Sequence, residues 1–362
     1  MIDVGARYQY HTITLDTRTP GDTESLDKFL SLRIESVEPI AMLVKTEGNG
    51  CVNDFTRTMA YESYKTFFLR RNFLDVGIVV SGGTEGVLSP HATLFYKTID
   101  RVAHSSGPAF SIGTSRTREL APHEIGTALH ADLVSVAVAE AMKAGLLGNA
   151  DEVKYVQIKC PLLRDEDIEV AAHTGKSVVV NDTYRSMAFS RGASALGAAL
   201  ALGEISALSD SDICTDWNLY SSVTSVSSGA ELRHCEVIVM GNSPRVGGNL
   251  FMASTIMRDP IDVTGVGEVM KSYVSSHSER SVRQLFAKAD PVGMVRGNRS
   301  IMLDDSDIHA TRHARAAVGA VLSCVVGRTN IYVSGGAEHQ GPRGGGPVAI
   351  IVENVLKQDS QV

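Results

Sequence analysis

One short cluster recurs three times along this chain, and the recurrence constrains the fold more than any other feature. It reads Ile78-Val79-Val80-Ser81-Gly82-Gly83-Thr84-Glu85 first and Thr224-Ser225-Val226-Ser227-Ser228-Gly229-Ala230-Glu231 second. The third copy is Ile331-Tyr332-Val333-Ser334-Gly335-Gly336-Ala337-Glu338. A strand-like run leads each time into serine, then glycine or serine, glycine, one variable residue and glutamate. A lone Ser-Gly-Gly is ordinary turn chemistry, because glycine and serine punctuate loops. Three copies with glutamate at a fixed offset mark repeated structural units.

A second element repeats upstream: one lysine after an apolar residue, at Val44-Lys45, Ile158-Lys159 and Ala287-Lys288. Between lysine and serine each unit carries arginine in a helix-like stretch. These are Arg57, then Arg191 within Ser190–Gly197, then Arg312 or Arg315 within Thr311–Gly319. Three Lys–Arg–Ser sets divide the chain at roughly residues 1–105, 110–250 and 255–362. Strands are expected at Ile40–Val44, Gly77–Val80, Tyr155–Ile158, Leu219–Ser225, Glu236–Met240, Ile331–Val333 and Pro347–Val352. Helices are expected at Glu24–Ile34, Arg57–Phe73, His123–Lys143, Thr183–Leu202, Val263–Ser275 and Ser306–Val326, the last capped by Ser306 or Asp307. The alternation predicts an α/β architecture.

A serine at a strand end, followed by glycine, exposes its hydroxyl and leaves backbone N–H groups open to a ligand. Such a hydroxyl is a poor nucleophile until a base removes its proton. Lysine serves as that base only when neutral, which near pH 7 requires its pKa to fall roughly three units from about 10.4. Burial and neighbouring cations both push that way. Three lysines and three arginines meeting in one pocket would supply them.

Other chemistries fit less well. The 362 residues carry a net charge of −7, which disfavours a nucleic-acid partner. The first residues lack the basic and apolar regions of a signal peptide, and no apolar run is long enough to span a membrane. Five scattered cysteines, odd in number and without a CxxC, suit reduced thiols in a cytoplasm. No GxSxG nucleophile elbow is present. His309 and His313 stand four apart but without the glutamate of a HExxH site, so helix packing explains them. Cys160 follows Lys159 on a strand and should therefore point away from it, into the core.

These residues resemble the cyanuric acid hydrolase and barbiturase family, and the resemblance extends over essentially the whole chain. It includes the glycine-rich tail Ser334–Pro347. The length fits cyanuric acid hydrolases better than the longer barbiturases. The resemblance implies an α/β fold of three structurally similar repeat units about a pseudo-threefold axis, with one central active site. It implies Ser227 as nucleophile and Lys159 as general base, Ser228 being a rival for the former role. Lys45 with Ser81 and Lys288 with Ser334 would hold substrate, together with Arg57, Arg191 and Arg315. Donors at Ser81–Gly82, Ser227–Ser228 and Ser334–Gly335 would complete the ring of contacts. It further implies no organic cofactor, but a structural Mg²⁺ or Ca²⁺ held by Ala337, Gln340, Gly341, Pro342 and Gly345, with Asp290 as candidate carboxylate. A homotetramer acting on a small cyclic imide is the implied assembly. A barbiturase, or a binding protein that holds a small anion without chemistry, is the alternative.

Overall fold

The structure, a computed structural model, describes residues 7–33, 37–100, 107–272 and 280–354. The first stretch runs β1 (Arg7–Asp16), α1 (Glu24–Ser31), β2 (Glu38–Thr46), α2 (Phe55–Arg70), β3 (Gly77–Gly82) and β4 (His91–Asp100). The second runs β5 (Ala109–Arg116), α3 (Ala128–Ala144), β6 (Val153–Pro161), α4 (Asp165–His173), α5 (Thr183–Ala201), β7 (Thr224–Gly229) and β8 (Glu236–Ser243). The third runs β9 (Leu250–Met257), α6 (Thr264–Met270), β10 (Arg280–Ala289), the short ribbon β11 (Met294–Val295) and β12 (Asn298–Arg299), α7 (Ala310–Val326), β13 (Tyr332–Gly335) and β14 (Gly346–Asn354). Each stretch makes one four-stranded sheet, ordered β1-β4-β2-β3, β5-β8-β6-β7 and β9-β14-β10-β13. The order is the same each time: first strand, last strand, second, third. In each sheet the second and third strands are parallel, as their helical crossover requires, and the last strand is antiparallel. This is the α/β fold of three similar units.

The strand period of two then sorts side chains onto two faces. On β2, Ala41 and Leu43 join a core shared with Tyr155 of β6 and Phe286 of β10, whereas Met42 and Val44 pack under α1 and α2. Ring pairs knit the three inner faces together, with Phe95 6.1 Å from Phe110 and 6.2 Å from Phe286. Lys45, Lys159 and Lys288 continue the inward rows of their strands above these aromatic rings. Cys160, one residue on, is buried in the outer core with Val156 and Ile158, as the alternation requires. Each lysine-bearing strand also has a register shift five residues before its lysine, between Pro39 and Ala41, Val153 and Tyr155, and Val282 and Gln284. A bulge at matching positions gives the three lysines the same aim.

Some local expectations shift. The Leu219–Ser225 strand begins only at Thr224, because the Ser221 N–H instead donates to the His339 carbonyl and ties this segment to the tail. Helix α7 starts at Ala310 with His309 as its cap, accepting from the Thr311 N–H, not with Ser306 or Asp307. The turn before it is held by the Asp305 carboxylate, which accepts from the N–H groups of Asp307 and Ile308. His313 bonds Asp305 at 2.9 Å. The expected helix from His123 is a short turn at Pro122–Glu124 followed by α3. Ile34 and residues 273–275, expected as helix ends, lie outside the described residues. β9 runs across residue 255 and pairs wholly within the third sheet.

The helices of the second stretch meet at backbone contact. A Cβ on Gly197 of α5 would lie 2.3 Å from the Ala131 carbonyl oxygen of α3. Helix propensity alone would favour Gly197→Ala by about 1 kcal/mol. The expected result is the opposite sign, a loss of about 1–3 kcal/mol read as a lower Tm, because the methyl group must push the helices apart.

Candidate active site

The parallel pairing of each second and third strand places one lysine opposite one serine. Lys45 is in register with Ser81, Lys159 with Ser227 and Lys288 with Ser334. Two of these pairs bond directly: Lys45 Nζ donates to Ser81 Oγ and Lys288 Nζ to Ser334 Oγ, each at 3.2 Å. The serines themselves converge. Ser227 Oγ lies 3.0 Å from Ser334 Oγ, which lies 3.4 Å from Ser81 Oγ. Hydroxyls from three sheets thus meet at one point.

Above them opens a small cavity of about 20 Å³. Arg57, Ser81, Gly82, Arg191, Ser227, Ser228, Arg315, Ser334 and Gly335 line it, joined by Gly50 and Met187. Each guanidinium comes from the helix preceding a serine strand, so three helices deliver three cations to one hollow. Arg315, rather than Arg312, faces it. The lysines sit beneath this lining and are almost wholly buried.

The repeated glutamates have no role that the sequence alone assigns. They are the fasteners of the site. Glu338 holds Arg191 through two hydrogen bonds of 2.6 and 2.7 Å, and Glu85 forks onto Arg315 likewise, with the Arg315 Nε bond at 2.7 Å. Each of these pairs joins different sheets, the arginine of one unit to the glutamate of the next. Arg57 completes the cycle more loosely, its Nε 3.9 Å from Glu231. Its other nitrogens donate to the carbonyls of Gly50, Cys51 and Ser228.

Lys159 is where the geometry departs from expectation. Its Nζ donates to the carbonyls of Val80 at 2.8 Å and Ser228 at 3.4 Å, and forms an ion pair with Glu231 at 2.7 Å. The Ser227 hydroxyl is engaged by Ser334 instead. Ser228, the rival nucleophile, sits opposite Cys160 in register, and its hydroxyl accepts from Arg191 at 3.0 Å.

Electrostatics follow from this burial. Loss of water, with Arg315 nearby, pushes the Lys45 ammonium well below the ordinary lysine range; for Lys288 the causes are burial and then Arg191. Burial lowers Lys159 as well, but the Glu231 carboxylate opposes it. Glu85 and Glu338 resist the upward push of burial because their arginines hold them ionised. Arg191 stays charged against burial because Glu338 faces it.

The tail loop supplies a separate feature. Asp290 accepts from the Gly344 N–H at 2.7 Å, and burial pushes its carboxyl up to about 6. Ala337, Gln340, Gly341, Pro342 and Gly345 belong to the loop whose Gly344 N–H reaches this carboxylate. The Gln340 carboxamide is spent bridging the loop to β7, donating to Gly336 and Glu338 carbonyls and accepting from the Val226 N–H, so it offers a cation only its main chain. Among the described residues no cluster of three or more His, Cys, Asp or Glu side chains stands together. One half-buried carboxylate beside a glycine-rich loop offers oxygen, the donor a hard cation favours.

Comparison with known proteins agrees with this architecture. A cyanuric acid amidohydrolase of Rhizobium johnstonii is 46% identical over 345 residues, covering 95% of this chain and 97% of its own. One from Pseudomonas sp. (strain ADP) is 43% identical over 359 residues, covering 95% and 99%. The crystal structure of a cyanuric acid hydrolase from A. caulinodans superposes with a TM-score of 0.89 at 41% identity, covering 96% of this chain and all of that one. Another cyanuric acid hydrolase, described as an innovation by structural concatenation, gives 0.90 at 40% identity with the same coverage. Residues 11–353 match the family described as amidohydrolase ring-opening protein. With three like sheets closing on one polar hollow, the chain belongs to the ring-opening amidohydrolases.

Proposed function

We propose that this enzyme is a cyanuric acid amidohydrolase that opens the ring with Ser227 as nucleophile and Lys159 as base. One observation carries the reading: three serine turns and three arginines surround a single hollow, and cyanuric acid presents three carbonyls at equal angles. Names of relatives above 40% identity point to the same substrate. Arg57, Arg191 and Arg315 orient the ring through its oxygens and polarise them. The Ser227 Oγ–H proton passes to neutral Lys159 as oxygen attacks a carbonyl carbon. The carbonyl π pair moves onto oxygen, where N–H groups of the serine turns receive it. As that pair returns, the ring C–N bond breaks and Lys159 gives the proton to the leaving nitrogen. Water then cleaves the acyl-enzyme by the same exchange, releasing a carboxybiuret that loses carbon dioxide. Lys45 and Lys288 hold Ser81 and Ser334 against the other two carbonyls.

Assay of the purified protein with cyanuric and barbituric acids tests the assignment. Turnover of cyanuric acid is expected; turnover of barbiturate alone would reverse it.

Asp290 with the carbonyls of Ala337, Gln340, Gly341, Pro342 and Gly345 would hold a structural Mg²⁺ or Ca²⁺. The ion would supply fixed positive charge to a half-buried carboxylate and take no part in ring opening. Prolonged EDTA dialysis is then expected to lower Tm, with recovery on adding either ion; an unchanged Tm would dismiss the ion. We also place the enzyme in the cytoplasm as a homotetramer, consistent with its five free thiols; light scattering that gives a monomer mass would reject the assembly.

A further inference from the structure

Three Ser–Lys pairs look alike in sequence, yet one must do the chemistry. The turns that follow the serines differ in backbone. Gly83 and Gly336 adopt positive φ, +98° and +77°, whereas Gly229 does not, because β7 runs one residue further than β3 or β13. That one residue redirects the glutamate. At Gly83 and Gly336 a Cβ would meet the guanidinium of Arg315 or Arg191, within 2.5 and 2.8 Å. At Gly229 it would meet the carboxylate of Glu231, folded back over its own turn at 2.0 Å.

Glu231 therefore faces Lys159, not an arginine fork. The ion pair is 2.7 Å long, with both side chains no more than 2% exposed. Among the described residues the cations beside this carboxylate are Lys159, with Nζ 2.7 Å from Oε1, and Arg57, whose Nε stands 3.9 Å from Oε2. Among the described residues, Lys45 and Lys288 have only hydroxyl and carbonyl oxygens as hydrogen-bond partners. A base must hold the proton it takes. A buried ammonium formed at either flanking lysine would lack a carboxylate partner, and buried unpaired charge is costly.

We propose that Glu231 is the positioning residue that singles out the second Ser–Lys pair, by stabilising the ammonium Lys159 becomes when it accepts the Ser227 proton. The inference rests on the Ser227–Lys159 assignment above. It parallels the way a buried carboxylate supports the protonated base of a serine-hydrolase triad. The groups facing Lys159 are Glu231 after β7, Arg57 from α2, Lys45 from β2 and its neighbour Cys160 on β6. Tyr61 and Tyr332 also feel the Glu231 charge. Glu231 is the one acid in the Lys159 set that both touches it and favours its charge. Removing that charge lowers the proton affinity of Lys159, so the lysine stays neutral to lower pH but becomes a weaker base.

The test is the pH profile of cyanuric acid hydrolysis for wild type, Glu231→Gln, Glu231→Asp, Glu338→Gln and Ser227→Ala. For Glu231→Gln, kcat is expected to fall roughly 100-fold and the acid limb of kcat/KM to move about one unit toward lower pH, with KM changed only a few-fold. Glu231→Asp should restore most of kcat and return the limb toward wild type. Glu338→Gln, which loosens an arginine, should raise KM and leave the limb in place. An unmoved limb in Glu231→Gln, with Ser227→Ala inert, overturns the Glu231 role alone. Turnover by Ser227→Ala overturns the parent assignment, whatever the limb does. Should Glu231→Gln fail to fold, Glu231→Asp decides: a profile identical to wild type counts against the role, and a smaller shift in the same direction supports it.

Discussion

Ser227→Ala is expected to abolish ring opening, by roughly 10⁴-fold or more in kcat, while cyanuric acid still binds. The physical reason is a division of labour inside one hollow. Arg57, Arg191 and Arg315 and the turns at Ser81–Gly82 and Ser334–Gly335 remain when one hydroxyl is removed. Binding therefore survives, measurable by calorimetry, whereas no covalent intermediate forms. Ser81→Ala and Ser334→Ala should instead raise KM and retain a measurable kcat, because their hydroxyls contact substrate without being acylated. Ser334→Ala also removes the hydroxyl that engages Ser227 at 3.0 Å and so should perturb kcat more than Ser81→Ala does. Wild-type turnover in Ser227→Ala would move the nucleophile elsewhere, with Ser228 the first place to look.

Arg191→Met is expected to have the second-largest effect, on affinity and stability together. The guanidinium bridges two units through Glu338, with side chains 12% and 19% exposed. Without it, a largely desolvated carboxylate loses its partner, at a cost of about 3 kcal/mol in stability. The substrate loses one charge-assisted contact, raising KM by roughly 10- to 100-fold. A double-mutant cycle separates these effects. Glu338→Leu added to Arg191→Met should recover much of the Tm, since no unpaired charge then remains, and none of the lost affinity. Recovery of affinity would mean that Arg191 does not reach the substrate.

Much of this arrangement is written locally in the chain. The inward rows Ala41, Leu43, Lys45 and Tyr155, Gln157, Lys159 follow from a period of two, and the serine turns from residues that favour turns. The α/β class could be read from the alternation of elements and the three units from the repeated motif, whereas the meeting of Ser81, Ser227 and Ser334 is what the family resemblance implies. Strands β1, β4, β5, β9 and β10 escaped because their runs mix polar and apolar residues or break phase; in Arg7–Asp16 the alternation slips between Tyr10 and Ile13. Pairing across units could not be read at all. Nothing local in Glu85 says that it closes on Arg315, or that Glu231 turns to a lysine while its counterparts grip arginines. That difference comes from one residue of strand length at Gly229, a matter of sheet register decided by distant pairing.

The most direct test is the crystal structure of Ser227→Ala soaked with cyanuric acid. One ring is expected in the small hollow, with its three oxygens directed at the turns of Ser81, residue 227 and Ser334 and at the three arginines. A ring bound instead in the larger cavity lined by Trp217, Asp290 and Arg343, with the central hollow empty, would contradict it.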